Sequence, residues 1–170
     1  GSGKGIHPFK TVKDYDDFLK RLDGFVAWTD QAIANMREGA AKGYTLPRVL
    51  AERTLPQLEA HIVATPEESI YYGPISNLPP SFASGDRERL TAAYRSAIVS
   101  KVVPTYRRLH DFMRDEYLPK CRTTVGLDAL PDGLLTGEYL VLKDALPPLR
   151  PDGADEAGVL PRLDTLRARV

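Results

Sequence analysis

The chain has 170 residues, 42% hydrophobic and 27% charged, with 23 basic and 23 acidic side chains that cancel to a formal charge of zero. That length and composition fit one globular domain, and the balance argues against nucleic acid, whose binding depends on a basic face, and against a polybasic membrane-surface role. Cys121 is the single cysteine, which excludes an internal disulfide and a thiolate metal cluster, and no run approaches the roughly 18 apolar residues of a transmembrane segment.

The first residues, Gly1-Ser2-Gly3-Lys4-Gly5, hold neither a Met nor an apolar signal region, and point to a piece of a longer protein more than to a chain whose leader was removed. Their glycines match neither the P-loop nor the dinucleotide spacing, so they read as a flexible end. Thr11 followed by Asp14 has the form of an N-cap with a carboxylate at the third helical position. Tyr15, Phe18, Leu19, Leu22 and Val26 then fall at helical spacing, and Thr29, Ile33, Met36 and Ala40 continue the stripe. Gly24 either breaks this run or is absorbed at about 1 kcal/mol relative to Ala. Gly43 suits the position just past a helix end. Tyr44-Thr45-Leu46-Pro47 reads as a turn into another helix, with Pro47 near its first position.

Leu50, Leu55, Leu58 and Ile62 predict that helix, kinked at Pro56. In Thr65-Pro66-Glu67-Glu68, Thr caps, Pro takes the first turn and Glu68 can reach back, so a short helix is expected there, stopping before Gly73-Pro74. Residues 73–84 hold Pro74, Pro79 and Pro80 and read as an extended surface loop. The longest element is expected over about 85–117, with Asp86 and Glu88 suited to its N-terminus. Leu90, Tyr94, Ile98, Val102, Tyr106, Leu109 and Met113 recur at spacings of three and four. The phase survives Pro104, which predicts one kinked helix whose proline cost of about 3 kcal/mol is offset by packing on both sides. No segment of comparable length alternates with period two. The expected class is therefore all-α, an irregular multi-helix bundle with Pro- and Gly-rich loops over residues 6–133. Residues 134–170 read as a divergent, Pro-rich tail that is expected to be poorly ordered, with Leu160, Leu163 and Leu166 hinting at a terminal helix.

Candidate chemistry is sparse. His7, His61 and His110 have no second His three or four residues away, and His-Glu-x-x-His and paired Cys spacings are absent. His110 sits among Asp111, Asp115 and Glu116, where a boundary histidine on a charged helix face is a simpler reading than a ligand cluster. His61 suits a capping or hydrogen-bonding role. Asp14, Asp16 and Asp17 lack the Gly and terminal Glu of a calcium loop and read as first-turn charges. Cys121 lies between Lys120 and Arg122, which could lower its pKa, yet no base or orienting group can be assigned to it. Tyr117 and Arg122 remain as candidate ligand or channel contacts. An Arg in a Gly-containing loop can grip a carboxylate with two hydrogen bonds, or pair internally with Asp128, Asp132 or a helix-end carbonyl.

Several stretches in order resemble one bacterial family, the domain of unknown function 885 proteins. They are His7-Pro8-Phe9 with Asp14-Tyr15-Asp16, Gln31-Ala32-Ile33 with Met36-Arg37-Glu38-Gly39, Gly43 to Pro47, and Leu55-Pro56-Gln57-Leu58. Val103-Pro104-Thr105-Tyr106, Phe112, Glu116-Tyr117-Leu118-Pro119, Arg122, Gly126 and Leu130-Pro131-Asp132-Gly133 complete the match over about residues 6–133. The resemblance implies a helical part of a zinc metallopeptidase of the thermolysin-like clan, with an exported or periplasmic location and a peptide substrate. The family's His-Glu-x-x-His helix lies downstream of the matched region. The resemblance thus implies zinc for full-length relatives, no catalytic or metal-ligating residue in this chain, and a missing C-terminal catalytic half as partner. Inactivity of this chain alone is the expectation, and a stand-alone helical binding module is the alternative.

Past Gly133 the sequence departs from the resemblance, without the aromatic-rich and Thr-rich segments expected there. A shifted reading frame near residue 134 accounts for this composition and predicts that another frame of the same DNA restores family-like sequence. If the helices normally pack on a larger half, they should leave an apolar stripe uncovered, with Tyr94, Tyr106, Phe112 and Tyr117 as its candidates.

Overall fold

The computed structural model describes residues 7–126 and 129–131. Helix α1 (Val12–Ala41) opens on the expected capping box. The Thr11 hydroxyl accepts from the Asp14 amide at 3.3 Å, while the Asp14 carboxylate accepts from the Thr11 and Lys10 amides at 2.8 and 3.0 Å. Those two amide bonds hold the Asp14 carboxyl below its usual range. His7 fixes the chain ahead of the cap: its Nε2 lies 2.6 Å from the Asp14 carbonyl, which can only accept, so that nitrogen carries the proton. Gly24 is absorbed into the helix with open space around it. The helix gives way at Gly43, whose φ of +85° an L side chain adopts only with strain.

Helix α2 (Arg48–Glu59) contains Pro56 and is preceded by Pro47 at the cap. Its expected apolar face needs correction. Ala51 is fully buried and Leu55 and Leu58 pack on the core, whereas Leu50 is 46% exposed and Ile62 lies beyond the helix end. Positions 51, 55 and 58 share one face, and Leu50 sits about 100° around from it.

The segment after α2 also differs from expectation. Two single 3₁₀ turns, Pro66–Glu68 and Ile70–Tyr72, lead into one α-turn, α3 (Gly73–Ser76), which contains the Gly73-Pro74 pair expected to end the helix. Glu68 does reach back, accepting from the Ala64 and Thr65 amides at 3.2 Å each. Pro74 fits because a first-turn proline forfeits no helical bond. Residues 73–84 are likewise not wholly a surface loop: Ile75 is buried, and the Tyr15 hydroxyl donates to the Pro74 carbonyl at 3.4 Å.

From Ser84 to Lys120 the chain is one continuous helix of changing pitch. Helix α4 (Ser84–Ala97) runs into a π turn (Ile98–Val102), then α5 (Val103–Asp111), a second π turn (Phe112–Tyr117) and a 3₁₀ turn (Leu118–Lys120). The apolar spacing explains the π turns. Leu90, Tyr94, Ile98 and Val102 are four apart, so on a 3.6-residue helix each step drifts by about 40°. A wider turn takes up that drift and returns the stripe to the core. The first π turn also ends just before Pro104, where no amide is available to continue the α ladder.

Helix α1 and the long helix pack side by side and parallel. Asp16–Arg89, Asp23–Lys101, Asp30–Arg108 and Arg37–Glu116 pair along the seam in ascending order on both elements. Two apolar clusters lie between them. Tyr15, Phe18 and Leu22 meet Leu90, Tyr94, Ile98 and Val102 under Tyr71 and Ile75; further along, Ile33 meets Ala51, Phe112, Met113, Tyr117 and Cys121.

The tyrosines and phenylalanine expected on an uncovered stripe are therefore core. Tyr94, Phe112 and Tyr117 are buried and Tyr106 is half-buried, because α1 and the 66–76 turns pack on Tyr94 and Tyr106, and α1 and α2 on Phe112 and Tyr117. Their hydroxyls find partners in the chain: Tyr94 donates to the Tyr15 carbonyl at 3.1 Å, and Tyr106 meets the Tyr71 hydroxyl at 2.9 Å. The exposed large apolar side chains include Leu46, Val49 and Leu50 instead. No helix among the described residues is long and apolar enough to cross a membrane. The expected change of character after Gly133 lies outside the described residues.

Candidate functional site

The second π turn delivers Tyr117 to the interior, next to the connector between α1 and α2. Its hydroxyl accepts from the Leu46 amide at 3.0 Å, and its ring lies 5.9 Å from that of Phe112. The chain then turns out of the 3₁₀ segment, and Arg122 pairs with the same connector in a short β-like bridge at Pro47. The Arg122 amide donates to the Thr45 hydroxyl at 3.2 Å, and its carbonyl accepts from the Arg48 amide at 2.8 Å. The guanidinium turns inward as well. Its Nε donates to the Thr45 carbonyl at 3.1 Å, and Nη1 donates to the Thr124 and Gly126 carbonyls at 2.9 and 2.5 Å.

The structure thus brings Tyr117 and Arg122 together on residues 45–48, each bonded to backbone groups of its own chain. Thr45 is the residue that sequence reasoning missed: buried, it meets Arg122 through both its hydroxyl and its carbonyl. A threonine before Leu-Pro in a turn carries no signal of such a long-range partner. Residues 127, 128 and 132, including the proposed partners Asp128 and Asp132, lie outside the described residues.

An open cleft of about 420 Å³ lies on the other side of Phe112, between α1 and the long helix. Ile33 and Phe112 line its apolar part, and Asp30, Arg37, Arg108, Asp111, Asp115 and Glu116 its charged part. Arg37 lies 5.2 Å over the Phe112 ring and makes two bonds to Glu116, at 2.7 and 2.6 Å. Those bonds depress the Glu116 carboxyl. Arg108 donates to Asp30 at 2.9 Å, and Arg114 makes two bonds of 2.6 Å to Asp115, holding that carboxyl low too. A ligand with charged groups could enter this cleft by exchanging partners with these pairs. The paired carboxylates give it no ready general base.

Cys121 reverses its expected environment. It is buried in the second cluster, and burial raises its thiol pKa above the ordinary value, so the flanking Lys120 and Arg122 do not activate it. His110 is mostly covered, with Nδ1 3.2 Å from Asp111. His61 packs on Tyr106 in a tilted arrangement with centroids 4.3 Å apart and meets Tyr71 edge-on at 6.4 Å, and burial lowers its pKa. Asp16 and Asp17 serve as helix-surface ion-pair partners of Arg89, Lys13 and Lys20. Among the described residues, no group of three or more His, Cys, Asp or Glu side chains comes together in a way that could hold a metal ion. They do not fit a zinc site.

Neither the curated proteins nor the solved structures contain a match to this chain. The model of one protein family, described as bacterial protein of unknown function (DUF885), matches residues 2–152, a span that takes in every element above. That span includes the residues that carry the resemblance, and the chain belongs to the DUF885 family of bacterial proteins.

Proposed function

We propose that the described helices are a non-catalytic scaffold of a zinc-dependent peptidase, inactive alone, that shapes a peptide channel for a metal-bearing part lying outside them. The observation that carries this reading is the commitment of the chain's reactive groups to its own architecture. Arg122 is bonded to three backbone carbonyls, Tyr117 to a connector amide, and Cys121 is buried as a neutral thiol. A zinc peptidase needs about three protein ligands and a carboxylate to activate water. The described part supplies neither, so the chemistry falls to the C-terminal half implied by the resemblance. The cleft lined by Arg37, Phe112 and Glu116 is the channel wall that this part offers to a peptide.

Zinc content and peptide hydrolysis of the purified chain test the reading. Neither zinc at one equivalent nor cleavage of a mixed peptide library is expected. Stoichiometric zinc or turnover by this chain alone would overturn it. The second reading, a stand-alone helical binding module, is favoured by the exposed Leu46, Val49 and Leu50 at the start of α2. A zinc-free, cooperatively folding monomer that holds a protein partner tightly, with no dependence on a catalytic half, would support that reading instead.

A further inference from the structure

Helix α1 turns one side to the core and one flank to the seam with the long helix, and its remaining side faces water. On that side Gly24, Trp28, Gln31 and Asn35 are all exposed. They follow one another at steps of four, three and four within one unbroken helix, so they form a single stripe about three turns long. The buried Phe18, Leu22, Thr29 and Ile33 lie across the helix from it.

The exposed face of a helix normally carries charge. Between Asp23 and Arg37 the only ionisable side chain is Asp30, and it belongs to the seam, paired with Arg108. Trp28, the single tryptophan of the chain, stands in the middle of the charge-free stretch at 65% exposure. Gly24 occupies a helix interior, where it costs about 1 kcal/mol relative to Ala. A Cβ at Gly24 would meet nothing within 4 Å, so no contact among the described residues accounts for the glycine. The close approach of a second helix backbone does.

Charge identifies the occupant. At the same spacing the stripe continues to Arg21 and Asp17 in one direction and to Glu38 and Lys42 in the other. That order complements itself when reversed. A second α1, turned end for end about a point between Thr29 and Asp30, sets Arg21 of each copy opposite Glu38 of the other, and Asp17 opposite Lys42. The same register sets Trp28 opposite Gln31 and Gly24 opposite Asn35. A parallel pair would instead place each of these charges on its like. Within the chain Glu38 pairs with Lys42, and Asp17 with Lys13 and Lys20. Those contacts are exposed and exchange partners at little cost.

We propose that the outer face of α1 is a homodimer interface, an antiparallel helix pair in which Trp28 of each copy packs on the charge-free stripe of the other. The interface is isologous, so every contact occurs twice. It is independent of the peptidase reading and survives its failure.

Sedimentation of the full chain over a wide concentration range tests the proposal, with Trp28 as a built-in reporter. A monomer–dimer equilibrium is expected, and the tryptophan emission should shift to the blue in step with the dimer fraction. Arg21→Glu should weaken dimerisation about tenfold by facing carboxylate with carboxylate. The double variant Arg21→Glu/Glu38→Arg restores both pairs and should return the affinity close to that of the parent chain. Trp28→Lys should leave a monomer with an unchanged far-ultraviolet spectrum, since the side chain it replaces is exposed. A chain that stays monomeric throughout would overturn the proposal, as would association that leaves the Trp28 emission unmoved. Blue-shifted emission at every dilution without association would assign the face to another part of the chain instead. A double variant no tighter than Arg21→Glu alone would sink the antiparallel register.

Discussion

At the scale of single residues, the polar atoms that looked most like ligands are holding backbone. The Tyr117 hydroxyl is the acceptor for the Leu46 amide beside a buried ring. Tyr117→Phe leaves that amide without its acceptor, and a stability loss of about 1–2 kcal/mol is expected in urea denaturation. An unchanged midpoint would mean that the amide is satisfied by water. His61 gives a pH signature. Burial lowers its folded pKa, while the unfolded chain retains the ordinary value near 6.5. Below that ordinary value the unfolded state takes up the proton first, so stability falls as pH drops toward the lowered folded pKa and is unaffected above the window. Denaturation midpoints measured between about pH 7 and 5 should therefore decline, and His61→Phe should flatten that decline. Asp14 acts in a separate, more acidic window. Its folded pKa is depressed, so its contribution is lost only as pH falls below the ordinary carboxylate value.

At the scale of elements, α1 and the long helix are joined by apolar packing and trimmed by charge. Asp16, Asp23, Asp30 and Arg37 recur every seven residues of α1, and each meets an opposite charge on the long helix. The partners Lys101 and Arg108 keep the seven-residue step, while Arg108 and Glu116 are eight apart across the second π turn, whose extra residue is absorbed without loss of register. These pairs are about half exposed, so geometry does not translate into much energy. A double-mutant cycle on Arg37→Ala and Glu116→Gln should give a coupling below about 1 kcal/mol that shrinks with added salt, despite the bidentate contact. A larger, salt-insensitive coupling would show that the pair is desolvated in solution. Much of this level was legible beforehand. The capping box at Thr11, the stop at Gly43 and the persistence of the long helix through Pro104 all follow from local chemistry. The Gly73-Pro74 turn is not legible locally, because it is held by the Tyr15 hydroxyl and by the burial of Ile75 against a distant part of the chain.

At the scale of the whole molecule, two apolar clusters share α1 and the long helix, and the connector at 44–47 is stitched to the loop after Tyr117 beside the second cluster. The charged cleft lies between the same two helices, lined by Ile33 and Phe112 of the second cluster and by the ion pairs of the seam. The sequence by itself determined the all-α class, the helix starts and stops, and the absence of a His-Glu-x-x-His motif, because caps, prolines and periodicity act over a few residues. Only the tertiary structure decided what each polar side chain does. Arg122, Tyr117 and Cys121 carry the same chemical groups in a catalytic or a structural setting, and their partners include Thr45, Leu46, Ile33 and Ala51, dozens of residues away. The distinction therefore rests on long-range geometry that no local pattern encodes.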